Sequence, residues 1–343
     1  MERLSFLSDY NDGAHPALLR ALAETNALVT PGYGEDDICD AAREKLRAAC
    51  DCPEAAVWFL SGGTQTNATV IDAFLRPWQG VLAAETGHIN GHEAGAVEAA
   101  GHKVLPLPQR DGKIGAEALR AWLDRFYADA SRHHQVQPGM VYISQPTEYG
   151  TLYSLAELEA LSALCRARGL PLYADGARLA YALACPENDA GLPDLARLCD
   201  AFYVGGTKCG ALLGEAVVIP RPAALPQFFT VMKRHGAVLA KGRVLGVQFD
   251  ALFTDGLYYE IGREAIRLAD RLRAALAEKG YRLAVPSPTN QVFAWVDAAA
   301  LARLQERVAF NVWEAAEDGG AMVRFVVGCS TPAKDVEALT ALL

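Results

Sequence analysis

The chain has 343 residues, half of them hydrophobic, and a net charge of −9 with no block of lysine or arginine. That length suits one large domain plus a smaller one. The acidic balance excludes partners that need a concentrated positive surface, nucleic acid and anionic membranes among them. A small-molecule substrate fits better.

Met1 to Asp12 carries Glu2, Arg3 and Asp9 and no long apolar core, so neither a secretory signal nor a membrane anchor is expected there. No later apolar run approaches membrane-spanning length, and a soluble, cytoplasmic protein is expected. The eight cysteines, Cys39, Cys50, Cys52, Cys165, Cys185, Cys199, Cys209 and Cys329, include no Cys-x-x-Cys pair. They read as reduced packing residues rather than metal ligands, and no metal is expected. Only Cys209, next to Lys208, stands beside candidate chemistry.

From about Ala56 short apolar runs alternate with longer amphipathic stretches, the pattern of a mostly parallel sheet wrapped by helices. The expected strands are Val57–Leu60, Val81–Ala84, Lys103–Leu107, Met140–Ser144, Pro171–Ala174, Ala201–Val204 and Glu215–Ile219. Helices are expected at Ala68–Leu75, Ala116–Tyr127 and Leu155–Ala167, the last opened by Ser154 with Glu157 three residues on, a capping-box spacing. Leu257–Lys279 reads as one long helix. It is followed by Gln291–Val296, a helix near Ala298–Arg307, Met322–Val327 and a final helix from Pro332. The change of order places a large domain over residues 1–257 and a smaller α+β domain over 258–343.

Ligands of open α/β sheets bind beyond the carboxyl ends of the strands, so the residues following each strand are the candidates. After the first comes Ser61-Gly62-Gly63-Thr64-Gln65-Thr66-Asn67, a glycine turn into a helix, where free amides and the positive helix end favour a phosphate. It lacks the lysine of a Walker loop and the spacing of a dinucleotide fingerprint. After the second comes His88, either a surface loop histidine or a ring lying flat on a planar ligand. Pro171–Ala174 ends in Asp175-Gly176-Ala177-Arg178, and an aspartate leaving an apolar strand needs a positive partner. That partner is either Arg178 or a protonated ring nitrogen, the second leaving Arg178 for a substrate carboxylate. Ala201–Val204 ends in Gly205-Gly206-Thr207-Lys208, and a lysine beyond a buried strand has its pKa lowered by desolvation and suits Schiff-base chemistry. Phosphate, ring, ring nitrogen and aldehyde then meet Gly62–Thr64, His88, Asp175 and Lys208 in turn, which describes pyridoxal 5′-phosphate (PLP).

On Ser8-Asp9, Tyr33-Gly34-Glu35-Asp36, the Ser61–Asn67 turn, His88-Ile89, Glu93-Ala94-Gly95, Asp175-Gly176-Ala177-Arg178 and Gly205-Gly206-Thr207-Lys208, the chain resembles the threonine aldolase and β-eliminating lyase family of fold-type-I PLP enzymes. The resemblance implies an aspartate-aminotransferase-like large domain with a mostly parallel seven-stranded sheet. It also implies PLP on Lys208, its ring nitrogen on Asp175, His88 stacked on the ring, and Gly62, Gly63 and Thr64, with Thr207, at the cofactor. Ser8, Arg178 and Arg324 would surround the substrate carboxylate, and His88, or a second histidine at His133 or His134, would serve as base. The activity implied is retro-aldol cleavage of a β-hydroxy-α-amino acid, with β-elimination or transamination as alternatives on the same frame. A homodimer or homotetramer with shared active sites is also implied, the basic stretch Lys233-Arg234 to Lys241-Gly242-Arg243 being the candidate to reach a neighbour. Two departures bear on the substrate: the turn after Ser61 has an additional glycine, and Gln145-Pro146-Thr147-Glu148 replaces the family's usual Glu-Asn-Thr-His.

Overall fold

In the computed structural model, which describes residues 3–343, all seven expected strands pair into one sheet. A short first strand, β1 (Leu4–Ser5), precedes them. They are β2 (Ala56–Leu60), β3 (Gln79–Ala84), β4 (Lys103–Leu107), β5 (Gln137–Ser144), β6 (Leu172–Asp175), β7 (Ala201–Gly205) and β8 (Glu215–Ile219), in the order β2-β8-β7-β6-β5-β3-β4. Successive residues of a strand feed opposite cores: Val81 and Ala83 pack with Met140 and Tyr142, whereas Leu82 and Ala84 pack with Val141 and Ile143. Helices cover both faces, which is why these strands read as unbroken apolar runs.

β8 runs antiparallel to its neighbours β2 and β7, and the other pairs are parallel. The carboxyl ends of β2, β3, β5, β6 and β7 therefore share one edge with the amino end of β8. That edge carries the site.

Helix Leu155–Arg168 has the expected capping box: the Glu157 amide donates to Ser154 Oγ at 3.2 Å and the Ser154 amide donates to the Glu157 carboxylate at 2.8 Å. The helix after β2 differs from expectation. It begins at Gly63 rather than Ala68 and runs to Phe74. Glycine, threonine and asparagine are weak helix formers, but Thr66, Asn67 and Thr69 are fully buried, and packing overrides local preference.

The long helix Leu257–Glu278 leads into β9 (Gln291–Val296), β10 (Val308–Ala309), β11 (Asn311–Ala315) and β12 (Ala321–Val326). β9, β11 and β12 form an antiparallel sheet in the order β11-β12-β9. β11 was not expected from sequence: it is a bulged, largely exposed edge strand without a clear apolar alternation. β1 pairs with β10, and buried Phe6 meets Phe325 edge-on at 6.4 Å. This anchor draws Ser8, Asp9 and Tyr10 to the active edge of the large sheet.

Candidate active site

A cavity of about 370 Å³ lies at that edge, walled by Gly63, Thr64, His88, Asp175, Thr207 and Lys208, with Arg178, Glu148, Glu215 and Tyr10 also facing it. The ends of four strands, β2, β3, β6 and β7, thus supply the group read from sequence.

Asp175 ends β6 and is 5% exposed. Its Oδ2 accepts from Tyr142 Oη at 2.7 Å and Asn67 Nδ2 at 2.9 Å, and its Oδ1 accepts from the Ala177 amide at 3.0 Å. Burial alone would raise its pKa, but His88, the hydrogen bonds from Tyr142 and Tyr203, and Asn67 outweigh it and hold the carboxyl below the ordinary aspartate range. It is an ionised acceptor that, among the described residues, makes no ion pair.

Lys208 follows β7 and is partly buried at the cavity wall; desolvation, reinforced by Arg178, pulls its ammonium below the ordinary lysine range against the pull of Asp9, Asp175 and Glu215. A larger fraction is then the free amine that attacks an aldehyde. His88 presents its ring to the cavity with Nδ1 2.7 Å from Glu93 Oε1, and Glu93 Oε1 also accepts from Asn67 Nδ2 at 2.7 Å. Glu93 thereby fixes the imidazole and ties it to Asp175 through Asn67.

The substrate-side residues are arranged differently from the expectation. Arg178 pairs with neither Asp175 nor open solvent: its Nε and Nη2 fork onto Asp9 at 2.7 and 2.9 Å, and Asn290 Nδ2 also donates to Asp9 at 2.9 Å. Asp9 is held below the ordinary range, burial being outweighed by Arg178 and Lys208. Arg324, on β12, donates to Gln291 Oε1 at 2.9 Å and Asn311 Oδ1 at 2.7 Å and packs 4.9 Å from the Trp313 ring. Among the described residues it has no carboxylate partner, and its Nε is buried without an acceptor. Burial and Arg178 lower its pKa to about 10, so it stays cationic at neutral pH. The Ser8 hydroxyl is likewise buried without a partner.

His134 is not brought to the site. It lies with His133 in the exposed turn Arg132–His134, before β5, whereas the cavity lies beyond the end of that strand. Eight strand residues at about 3.3 Å each put it roughly 25 Å away. In the basic stretch, Arg234 pairs with Asp72, Lys233 sits 4.3 Å from the Tyr33 ring and Arg243 donates to the Leu28 carbonyl, so these three are engaged within their own chain.

Besides Glu93, three acids escaped the sequence reading as site residues: Asp9 and Glu215, which are buried, and Glu148, which is partly buried. Asp9 reaches the site only through the β1–β10 pairing, although it stands in the Ser8-Asp9 match. Glu148 Oε1 accepts from Ser144 Oγ at 2.7 Å and the His88 amide at 2.9 Å, and burial pushes its carboxyl up. Glu215 opens β8 at 3% exposure, and burial pushes its carboxyl up to about 8.

PLP fits these residues. The helix starting at Gly63 has Gly62 as its cap residue, with no side chain to occupy its first amides, so they are left for an anion. A Cβ on Gly63 would stand 3.2 Å from Tyr203 Oη and narrow the cavity wall there. The ionised Asp175 suits a protonated ring nitrogen, and the desolvated Lys208 amine suits an aldehyde.

A family model, described as a β-eliminating lyase, matches residues 5–299. The low-specificity L-threonine aldolase of Pseudomonas sp. (strain NCIMB 10558) is 29% identical over 98% of this chain and 96% of its own. The solved structure of the Leishmania major threonine aldolase is 40% identical, covers 98% of each chain and superposes with a TM-score of 0.95. An aspartate aminotransferase mutant from Thermus thermophilus, 17% identical with a TM-score of 0.71 over 100% of this chain and 92% of that one, shares the fold. The chain belongs to the threonine aldolase and β-eliminating lyase family of PLP-dependent lyases, and has the fold-type-I architecture of that group.

Proposed function

We propose that the protein cleaves a β-hydroxy-α-amino acid, such as threonine, allo-threonine or a phenylserine-like compound, to glycine and an aldehyde. The observation that carries this reading is Arg324, a cation with a buried unpaired Nε and, among the described residues, no carboxylate partner, within electrostatic range of Arg178, Asp9 and Tyr10. Such a group calls for a carboxylate. Bound PLP supplies a covalent attachment for the amino group and an electron sink for the bond broken at Cα.

The chain's own residues do the rest. The amides of Gly62, Gly63 and Thr64, with Thr207, would hold the phosphate, Asp175 would keep a proton on the ring nitrogen, and His88 would face the ring. Arg324 and Ser8 bind the substrate carboxylate, with Arg178 held in place by Asp9. This grip sets which Cα bond stands perpendicular to the ring, and only that bond breaks readily. With His134 outside the site, His88 remains the imidazole on the cavity wall. It takes the β-hydroxyl proton as the Cα–Cβ bond breaks and the aldehyde leaves, and Glu93 stabilises the charge it gains. Lys208, whose amine faces the cavity, would return a proton to Cα before glycine departs.

The test is product analysis with the purified holoprotein on threonine, allo-threonine, phenylserine and serine, quantifying glycine, aldehyde, keto acid and ammonia. Glycine and aldehyde in equal amounts are expected. Keto acid and ammonia, with no aldehyde from any hydroxy-amino acid, would replace this reading with elimination. Assembly as a homodimer or homotetramer with shared active sites belongs to the same proposal, as does a cytoplasmic location, which the eight free thiols favour. Sedimentation of the active holoprotein tests the first, and full activity in a monomer would refute it.

A further inference from the structure

Glu215 is a buried acid that the chemistry above does not use. In the register of the sheet it stands between Leu60 of β2 and Gly205 of β7. It therefore lies between the two turns that begin at Ser61 and Gly206, the first holding the open helix end at Gly63 and the second Lys208. Its Oε2 accepts from the Gly206 amide at 3.0 Å, and its carboxyl faces the same cavity as Gly63, Thr64 and Thr207. Among the described residues it makes no ion pair.

We propose that Glu215 keeps its proton in the folded protein and donates it to a phosphate oxygen of PLP, so that a neutral carboxylic acid forms part of the phosphate site. An ionised carboxylate there would repel the phosphate, and the amides of the helix end cannot serve both anions. A protonated one supplies a donor where the cavity needs it.

The groups facing Glu215 act in both directions, and burial prevails. Burial raises its pKa most, and Asp175 from the end of β6 adds to the rise, while Thr207, the Gly206 amide and Lys208 oppose it and leave it at about 8. Once Lys208 is joined to the cofactor it no longer stands as a free ammonium beside the acid. The remaining neighbours are Tyr173, Tyr203, Tyr258 and Cys209, all of which burial pushes up, so they stay neutral across the range in question. Phosphate binding and the Glu215 proton are then linked: PLP binds well below pH 8 and loses affinity as the acid ionises.

The inference rests on the phosphate lying at Gly62–Thr64 but not on which Cα bond is cleaved. A protein that binds PLP and makes no aldehyde would defeat the aldolase proposal and leave this one open to the same test. The test is equilibrium titration of the full-length, cofactor-stripped protein with PLP and with pyridoxal, which lacks the phosphate, between pH 6.5 and 9.5, in the wild type and in Glu215→Gln. Wild-type affinity for PLP relative to pyridoxal should fall with pH above 8, approaching about tenfold per unit. Glu215→Gln, whose amide keeps its N–H at every pH, should lose that fall and bind PLP within about threefold of the wild type at pH 7. Superimposable pH profiles for the two proteins would overturn the proposal, as would a much tighter PLP complex in Glu215→Gln, which would mark an ionised, repelling carboxylate. If the variant does not fold, calorimetry of the wild type at pH 8.5 in buffers of different ionisation heat decides. Proton uptake greater for PLP than for pyridoxal supports the proposal, and equal uptake refutes it.

Discussion

Asp9 offers the sharpest test of how the site is held together. Its side chain is fully buried and that of Arg178 is 12% exposed, so Asp9→Asn removes one charge from a desolvated, forked ion pair and leaves the guanidinium without a counter-ion. Breaking a buried pair from one side costs about 3–5 kcal/mol, and because asparagine retains one acceptor for the fork, a loss near the lower end is expected. Against a total stability of about 5–15 kcal/mol the variant should still fold at 25 °C. Urea unfolding of the wild type, Asp9→Asn, Arg178→Met and the double variant measures the coupling, and the double variant should cost little more than the worse single. The acid limb gives an independent sign. The folded pKa of Asp9 lies below its ordinary 3.8, so the pair's contribution is complete above that value and is lost as pH falls through the folded pKa. Asp9→Asn should flatten the stability profile there. Because the freed Arg178 loses its orientation, KM for the amino acid should rise while PLP stays bound. A stability loss under about 1 kcal/mol together with an unchanged KM would show that Asp9 does not set the position of Arg178.

Three further outcomes follow from the same geometry. Lys208→Ala should abolish the borohydride-fixed attachment of PLP, read by mass spectrometry of the intact chain, and persistence of the adduct would place the attachment elsewhere. Asp175→Asn should keep PLP bound, by absorbance, but lower kcat by about 10²–10³, since an amide cannot hold a proton on the ring nitrogen; near-normal turnover would reject its assignment. Arg324→Lys should raise KM by about tenfold or more with a smaller change in kcat, because an ammonium cannot reproduce the fork onto Gln291 and Asn311 while meeting a carboxylate. An unchanged KM would remove Arg324 from the substrate site.

The large sheet was legible in sequence because its strands are buried on both faces and read as plain apolar runs, and Lys208, Asp175 and His88 were legible because they follow parallel strands. The same rule hid Glu215. β8 runs antiparallel, so its first residue, not the residue after its last, reaches the active edge. It also excludes His134, which precedes β5 and so lies at the opposite edge. Asp9 depends on the pairing of Leu4 with Val308, a contact across some three hundred residues that no local pattern reports. Arg178 shows the same limit: its neighbours in sequence pointed to Asp175 or a substrate, whereas its partner comes from the far end of the chain.

These long-range contacts also account for the sign of the substrate. Five acids stand in or behind the cavity wall, yet few of their charges are free to repel an anion. Asp9 is neutralised by Arg178, Glu93 is tied to His88 and Asn67, and Glu148 and Glu215 are pushed by burial toward their uncharged forms. Asp175 alone is held firmly ionised with, among the described residues, no ion pair, which suits the proposed protonated ring nitrogen. On the positive side, the proposed link to PLP would take up Lys208 and leave Arg324, which among the described residues has no carboxylate partner. The order of these pairings matters, because a carboxylate entering before the cofactor would compete for Lys208 as well. Under the proposed function an amino acid would lie with its carboxylate toward Arg324 on β12, its amino group toward the cofactor, and its β-substituent toward His88 and Glu148.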